Sequence, residues 1–357
     1  MQPNITRLTQ YLKNLLEIHS PSGAETACAL FLKNHFAKYG AEVDSAGNVS
    51  VTIPGVGEPV LFSAHMDVVD PSDQISVTTE NGYLKNTKPC VLGIDNKSTI
   101  ACYMEALSCL EKSGTPHRPL EFIFTVAEET TSMGAEKVDL THLSAKRGLI
   151  VDSAKPIGGI ITQSPYYSNL DIEIVGPIHH TKDLALDEKT AWSKLVALLG
   201  LLPHGVVNAS TNINWSTIAG GTGRNTVTPK FSLHGEIRSF SKESHEETIQ
   251  SIKKIVTDFD ADGIDFTDTF INGGYTIAED DTWLADITRA LKKNGVADIT
   301  LIKDYGVSDA NVFHARGLYM INIASGAMFT HTKDETISEK DLLTITGVVI
   351  ELCTNIH

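Results

Sequence analysis

The stretch Glu121-Phe-Ile-Phe-Thr-Val-Ala-Glu128-Glu129 joins a short apolar segment directly to two adjacent acids. The run Leu120–Ala127 consists of aromatic, β-branched and small apolar residues, a composition that predicts a buried strand. Neighbouring acids on a strand point to opposite faces, but at a strand end the chain can curl so that both reach one cleft. Taken alone, the pair is better explained as the place where a strand meets solvent.

Composition limits the classes of protein to which the chain can belong. Its 357 residues leave room for two domains, and an apolar fraction of 41% supports a sizeable core. The net charge of -15 argues against nucleic acid or an anionic membrane as a partner, because either would need a basic face. The five cysteines form no C-x-x-C pair, and no signal sequence or membrane-length apolar run is present. We therefore expect a soluble, cytosolic protein with reduced cysteines.

Other apolar segments also end at side chains that can bind metals or move protons. Three predicted strands and one predicted helix start share this property: Val60–Ala64 runs into His65, Gly148–Val151 into Asp152, Leu318–Ala324 leads to His331, and Asp95 opens a helix. Strands that alternate with helices predict an α/β sheet with both faces covered.

The pattern changes in the middle of the chain. Between Asn169 and Ile271 the order strand–helix–strand–strand–helix–strand predicts a small α+β domain of ferredoxin-like type. After Gly273 the α/β pattern resumes. The sequence therefore predicts a catalytic domain made of residues 1–165 and 277–357, interrupted by a smaller domain at 166–276.

Five candidate metal ligands emerge from these positions: His65, Asp95, Glu129, Asp152 and His331. In open α/β sheets ligands bind outside the carboxyl ends of the strands, so these side chains can converge on one crevice. Each has a simpler explanation on its own, such as a helix N-cap for Asp95 or a turn residue for Asp152. The metal interpretation explains all five together.

The donor set suits a pair of divalent cations. Histidine and carboxylate are ligands that zinc accepts, and two ions about 3.5–4 Å apart share one bridging acid. Glu128 is then left without a metal to bind, and a carboxylate beside an activated water is what a general base requires. Asp67 is placed to accept the second ring N–H of His65. The chain lacks the nucleophilic-serine, H-E-x-x-H and nucleotide-binding motifs, which leaves amide hydrolysis as the implied reaction.

The order of these motifs resembles one family over nearly the whole chain. The family contains peptidase T, carboxypeptidase G and succinyl-diaminopimelate desuccinylase, which are di-zinc exopeptidases and deacylases. The segments that carry the resemblance are Ser63-Ala-His65-Met-Asp67, Gly93-Ile-Asp95-Asn-Lys97, Ala127-Glu128-Glu129, Val151-Asp152 and His331-Thr-x-x-Glu335. The resemblance implies an α/β catalytic domain with a central mixed sheet, interrupted by an α+β ferredoxin-like lid domain. Glu128-Glu129-Thr130 and Ser308-Asp-Ala-Asn311 are most similar to the peptidase T branch.

The resemblance also implies roles for individual residues. His65 and Asp152 would bind one zinc, Glu129 and His331 the other, and Asp95 would bridge them. Glu128 would be the general base and Asp67 would support His65. In the lid domain, His180 would polarise the substrate carbonyl, and Asn225 and Arg238 would bind substrate. Cobalt or manganese could replace the two Zn²⁺ ions.

One departure limits what the resemblance implies, and one spacing distinguishes this chain from a related group. The segment Thr181–Glu188 lacks the usual continuation after the lid histidine, which affects substrate preference. Only 30 positions separate His65 from Asp95, which disfavours related aminopeptidases whose extra domain lies between these two ligands. The leading hypothesis is an exopeptidase similar to tripeptide aminopeptidases, acting on short peptides and dimerising through its lid. The alternatives are an N-acyl-amino-acid deacylase on the same centre and a metal-binding protein without catalysis.

Overall fold

The computed structural model describes residues 1–69, 75–259 and 263–356, and the chain divides into two compact units. Unit 1 contains Met1–Thr162, Thr276–Asp304 and Ser308–His357, and unit 2 contains Gln163–Tyr275 and Tyr305–Val307. The boundaries expected from sequence, 165/166 and 276/277, lie three residues and one residue from the points where the chain changes unit.

The described residues contain ten α-helices and seventeen strands, besides three short 3-10 helices. The helices are α1 Ile5–Leu16, α2 Thr26–His35, α3 Ile94–Ser113, α4 Glu128–Thr131, α5 Met133–Lys137, α6 Ala191–Leu199, α7 Lys242–Phe259, α8 Thr282–Lys293, α9 Asp309–Ala315 and α10 Glu339–Thr354. The strands are β1 Glu42–Val43, β2 Val49–Ile53, β3 Val60–His65, β4 Val77–Glu80, β5 Tyr83–Asn86, β6 Leu120–Thr125, β7 Arg147–Ser153, β8 Gly159–Ser164, β9 Tyr166–Val175, β10 Gly205–Val206, β11 Thr211–Gly220, β12 Lys230–Ser239, β13 Ile264–Asn272, β14 Tyr275–Thr276, β15 Thr300–Lys303, β16 Tyr319–Ala324 and β17 Thr336–Ser338. No helix in this part of the chain is both long and apolar enough to cross a bilayer.

A nine-stranded mixed sheet forms the centre of unit 1. Its order is β1-β2-β6-β3-β7-β16-β8-β14, and β15 pairs with β8. Strand β3 is parallel to β6 and β7, and β16 is parallel to β7. Strands β2 and β8 run antiparallel to their neighbours β6 and β16. This confirms the predicted fold class, an α/β domain with a central mixed sheet.

Aromatic side chains from β3, β6 and neighbouring helices fill the core beneath this sheet. Phe122 lies 5.6 Å from Phe62, 5.8 Å from Tyr103 and 6.0 Å from Phe36, measured between ring centroids. Every residue of β3 and β6 is buried. Strands buried on both faces need apolar residues at successive positions, which explains why the segment after Leu120 does not alternate.

The parallel strands bring the candidate ligands to one edge of the sheet. His65 is the last residue of β3, and Asp152 is the penultimate residue of β7. Glu128 and Glu129 begin α4, three residues after β6 ends. The chain after β16 leads to His331. Since β3, β6, β7 and β16 run in the same direction, their carboxyl ends meet at this edge.

Unit 2 is built on a separate antiparallel sheet of order β10-β11-β12-β9-β13. Its main elements follow the chain order β9-α6-β11-β12-α7-β13, so the four long strands have the arrangement of a ferredoxin-like fold. Helices α6 and α7 bury Leu195, Leu198, Ile249 and Ile252 against the strands. The short strand β10 is added at the edge beside β11.

Candidate metal centre

His65 presents one ring nitrogen to a group of acids. The side chain is 2% exposed, and its Nδ1 lies 3.0 Å from the backbone oxygen of Asp67. Its Nε2 lies 3.3 Å from Asp152 Oδ1 and 3.6 Å from Asp95 Oδ1. A proton on Nδ1 donated to the carbonyl leaves the lone pair of Nε2 directed at the two acids. This is the tautomer that a metal-binding histidine needs.

Asp95 lies between the two histidines. Its Oδ1 faces His65, and its Oδ2 lies 3.5 Å from His331 Nε2. The same His331 nitrogen lies 2.8 Å from Glu129 Oε1. A carboxylate with one oxygen toward each histidine is what a shared ligand of two cations requires.

The potential donors form two overlapping groups. Ligand atoms of His65, Glu128 and Asp152 lie within 4.8 Å of one another, as do those of His65, Asp95 and Glu129. Imidazole nitrogens and carboxylate oxygens are donors that zinc and similar divalent ions accept. The residues present therefore fit a metal centre, and Glu128 lies beside it.

The crowding of acids perturbs their protonation. The pKa of Glu128 is raised well above its ordinary value, by desolvation and then by the negative charge of Asp152. Burial, together with the charges of Asp95 and Glu129, raises the pKa of Asp152 to about 7. Hydrogen bonds to Asp95 and Glu129 raise the pKa of His331 to about 10. These shifts all favour extra positive charge in the cluster, which bound cations would also supply.

Asp67 fixes the backbone turn that carries Glu128 and Glu129. Its Oδ1 accepts the N–H of Glu128 and its Oδ2 accepts the N–H of Glu129, each at 3.1 Å. Ser22 Oγ donates to Oδ2 at 2.7 Å. Burial alone would raise the pKa of Asp67, but His65, Ser22 and the Glu128 N–H lower it to about 2. The sequence assigned Asp67 to the ring of His65, whereas the nearer contact to that ring is the backbone carbonyl of Asp67, and the carboxylate holds the turn.

A second buried acid holds the start of the same turn. Glu25 Oε1 accepts the N–H of Ala127 and the N–H of Gly23, each at 2.9 Å. Ala127 has a φ of 53°, a left-handed conformation that is uncommon for a residue with a side chain. Such a conformation persists only when its surroundings hold it, and Glu25 is part of those surroundings.

Further residues position the other ligands, and sequence reasoning did not assign them. Asn96 Nδ2 donates to Asp152 Oδ1 at 2.9 Å, and Asn322 Oδ1 accepts the Asp152 N–H at 3.0 Å. Glu335 accepts the N–H of Gly93 at 2.5 Å and of Asp95 at 3.4 Å. Asn96 and Glu335 lie inside motifs that carried the family resemblance. Their place in these motifs is the sequence signal that could have identified them as positioning residues.

Asp309 is a buried acid behind the turn. Thr125 Oγ1, at the end of β6, donates to its Oδ2 at 2.5 Å. Its Oδ1 has no hydrogen-bond partner among the described residues. Burial raises the pKa of Asp309 to about 7. Asp309 therefore fixes the end of the strand that leads to Glu128.

The three lid residues predicted to bind substrate lie in two places within unit 2. His180 forms a β-bridge with Thr226, and the N–H of Thr181 donates to the backbone oxygen of Asn225 at 3.0 Å. His180 and Asn225 are therefore neighbours, at the end of the sheet where β12 begins.

Arg238 lies toward the other end of the same strand. Arg238 lies eight positions after Lys230 in β12, which corresponds to about 26 Å of strand. The Arg238 guanidinium binds both carboxylate oxygens of Glu236 and the backbone oxygen of Tyr305, and it stacks 4.6 Å above the Tyr167 ring. One short substrate cannot contact both places on one copy of unit 2.

We expect Asp67→Asn to weaken zinc binding by roughly 10- to 100-fold, because an amide nitrogen would face the backbone N–H groups that hold the Glu128–Glu129 turn. Calorimetric titration of zinc into the metal-free protein measures the change. Asp334→Asn, an exposed acid near His331, is the matched control and should leave the affinity unchanged. Equal zinc affinity in Asp67→Asn and the unaltered chain would contradict the role of this carboxylate.

Known proteins share both the sequence pattern and the fold. Residues 61–355 match the model of peptidase family M20/M25/M40. The aminopeptidase PepT of Bacillus cereus has a TM-score of 0.91 and 26% identity, covering 99% of both chains. A tripeptidase of Staphylococcus aureus has a TM-score of 0.92 and 22% identity, covering 100% of this chain and 99% of its own. A dinuclear metal-binding peptidase of the M20 family from Bacillus subtilis has a TM-score of 0.71 and 16% identity, covering 98% and 97%.

The matching region contains every candidate ligand from His65 to His331. The fold of both units agrees with that of the two peptidases over essentially the full chain. The resemblance inferred from the motifs is thereby confirmed, and the chain belongs to peptidase family M20/M25/M40, in its peptidase T-like branch.

Proposed function

We propose that this chain is a cytosolic di-zinc exopeptidase that hydrolyses short peptides, with an activity like that of tripeptide aminopeptidases. The observation that carries the proposal is the convergence of two histidines and three carboxylates, Asp95 among them, with Glu128 beside the group. The likeness to the B. cereus aminopeptidase PepT, at 26% identity over 99% of both chains, supports a peptide substrate.

The donor pairs define which residues would hold each ion. His65 and Asp152 would hold one cation, Glu129 and His331 the other, and Asp95 would be shared. When bound, the cations would polarise the scissile carbonyl and make water more acidic. Zinc is favoured by the mixture of imidazole and carboxylate, although cobalt and manganese accept the same donors.

Glu128 would perform the proton transfers. Its carboxylate would take a proton from the attacking water as the new C–O bond forms. It would then deliver that proton to the nitrogen of the leaving amine as the C–N bond breaks. Support comes from its position, since its carboxylate lies within 4.8 Å of ligand atoms of His65 and Asp152. The turn held by Asp67 and Glu25 would keep this carboxylate in place.

Unit 2 would act as the lid and supply substrate contacts. His180 would polarise the substrate carbonyl, Asn225 would bind the peptide backbone, and Arg238 would bind a carboxylate. Their separation into two places on the sheet implies that one copy cannot use all three on one substrate. A dimer would remove this restriction, because a substrate could meet His180 and Asn225 of one copy and Arg238 of the other.

The surface of unit 2 supports dimerisation through the lid. Helix α6 exposes Trp192, Val196 and Leu199 at 60%, 55% and 39% of their surfaces. In the sheet of unit 2, strand β11 is next to the edge, where β10 pairs only with Asn212 and Ile213. The rest of β11 has no strand on its outer side within the described residues. A second copy could pair antiparallel with this edge about a two-fold axis and bury the α6 side chains.

The activity is tested with zinc-loaded protein and a panel of tripeptides, dipeptides and N-acetyl amino acids, with products identified by mass spectrometry. We expect release of a free amino acid from the amino end of tripeptides. A chelator should abolish this release and added zinc should restore it. Cleavage restricted to N-acyl amino acids would indicate a deacylase instead, and absence of any metal-dependent hydrolysis would contradict an enzymatic function.

We expect Glu128→Ala to abolish turnover, with kcat lowered by at least roughly 10²- to 10⁴-fold, because the proton-transfer group is removed. Elemental analysis should still find two zinc ions per chain. Glu136→Ala changes an exposed acid in the following helix and should retain full activity. Near-normal hydrolysis by Glu128→Ala would refute its role as the base.

We expect the unaltered chain to have a solution mass near 77 kDa, twice the 38.7 kDa of one chain. Val196→Asp should shift it toward the monomer, because a charge would be buried in the α6 contact. Leu30→Asp alters an exposed leucine of unit 1 and should leave the mass unchanged. Light scattering after size exclusion measures the mass of the unaltered chain and of both variants. A monomeric unaltered chain would contradict dimerisation.

A further inference from the structure

A cavity of about 700 Å³ lies within unit 1, next to the chain segments that carry two of the candidate ligands. It is bounded by the loop after β7, the turn after α8, the loop after β16 and the start of α10. Its lining includes Ala154, Ile157, Val296, Ala297, Met328 and Phe329. None of the roles assigned above uses this space.

Two residues that line the cavity lie close in sequence to candidate metal ligands. Ala154 follows Asp152 by two residues, and Phe329 precedes His331 by two residues. Two residues of extended chain span at most about 7 Å, so each of these two walls begins within about 7 Å of the backbone of a candidate ligand. The cavity therefore begins beside the backbone that carries Asp152 and His331.

The lining indicates which kind of side chain fits. Met328 and Phe329 expose 37% and 65% of their surfaces, although both are large and apolar. The charged residues at the cavity are balanced, with Lys155 and Lys340 opposed by Asp298 and Asp341.

Two of these four charged side chains already have partners. Lys155 pairs with Asp304 at 3.2 Å, and Asp341 accepts a hydrogen bond from the Ser338 hydroxyl at 2.6 Å. An uncharged, apolar group is the occupant that this environment favours.

The wall formed by the loop after β16 has a fixed shape. Met328 and Thr336 exchange two backbone hydrogen bonds of 2.8 and 3.0 Å. Phe329 has a φ of 55°, which is rare for a bulky residue and indicates that the loop is held by its surroundings. At Gly326, with a φ of 75°, a side chain would come within 2.9 Å of Ile157. The cavity is therefore formed before any ligand binds.

We propose that this cavity binds an apolar side chain of the substrate peptide, on a residue next to the scissile bond. The proposal rests on the peptidase function proposed above and adds a preference for leucine-sized or larger apolar residues there. Phe329, Met328 and the small residues Ala154 and Ala297 determine the size of side chain that the cavity accepts.

The test compares kcat/KM for trialanine, Leu-Ala-Ala and Ala-Leu-Ala in the unaltered enzyme and in Ala297→Trp, which would fill the cavity from the exposed α8 turn. We expect the unaltered enzyme to prefer at least one leucine peptide over trialanine, and Ala297→Trp to lower kcat/KM for that peptide roughly 10- to 200-fold. Trialanine hydrolysis should change less than twofold. Ala154→Trp fills the cavity from the opposite wall and should give the same selective loss.

Ala27→Trp, on the exposed face of α2, is the matched control and should leave all three peptides unaffected. Circular dichroism melting and zinc content establish that each variant is folded and metal-loaded. Equal losses on all three peptides, or none on the leucine peptides, would overturn the proposal while leaving the peptidase function standing. Failure of the unaltered enzyme to cleave any of the peptides would overturn both.

Discussion

The Asp67 carboxylate connects the ends of the two neighbouring strands β3 and β6. It follows His65 at the end of β3 and accepts backbone N–H groups from the turn after β6. The parallel sheet brings these two ends together, and this carboxylate, together with Glu25 on the N–H of Ala127, holds the turn after β6 in its orientation. The spacing between the His65 ring and the acids Glu128 and Glu129 therefore depends in part on the buried, ionised side chain of Asp67. Ser22 completes its hydrogen bonds from a different part of the chain.

The centre is unfavourable as a collection of bare charges. Four carboxylates and two imidazoles converge there. Burial and the charges of neighbouring acids raise the pKa of Glu128 and Asp152, and hydrogen bonds to Asp95 and Glu129 raise the pKa of His331. Surrounding side chains hold these groups near one another. Asn96 and Asn322 fix Asp152, and Glu335 fixes the backbone around Asp95. Folding thus brings together like charges that a pair of cations would neutralise, which couples metal affinity to the stability of this edge of the sheet.

The sequence predicted site residues where a regular apolar pattern ends at a side chain that can bind a metal or move a proton. Buried strands appear as apolar runs, so a polar group that ends such a run, such as His65 or Asp152, is visible without coordinates. The three-residue strand β17 was not predicted, because it is too short for periodicity to register. The partners Ser22 and Asp67 are 45 positions apart, and Thr125 and Asp309 are 184 apart. Such contacts are created by packing and have no local signature.

The route of the chain through unit 1 has a consequence for synthesis on the ribosome. Strand β16 lies between β7 and β8 in the central sheet, although more than 150 residues separate β8 from β16 in the sequence. The sheet therefore cannot be completed until all of β16, which ends at Ala324, has left the exit tunnel. Nearly all of unit 2, Gln163–Tyr275, emerges earlier and has its own core. The inserted domain can thus fold before β16 has been synthesised. During this time the first half of the sheet, with its apolar strands β3 and β6, is incomplete.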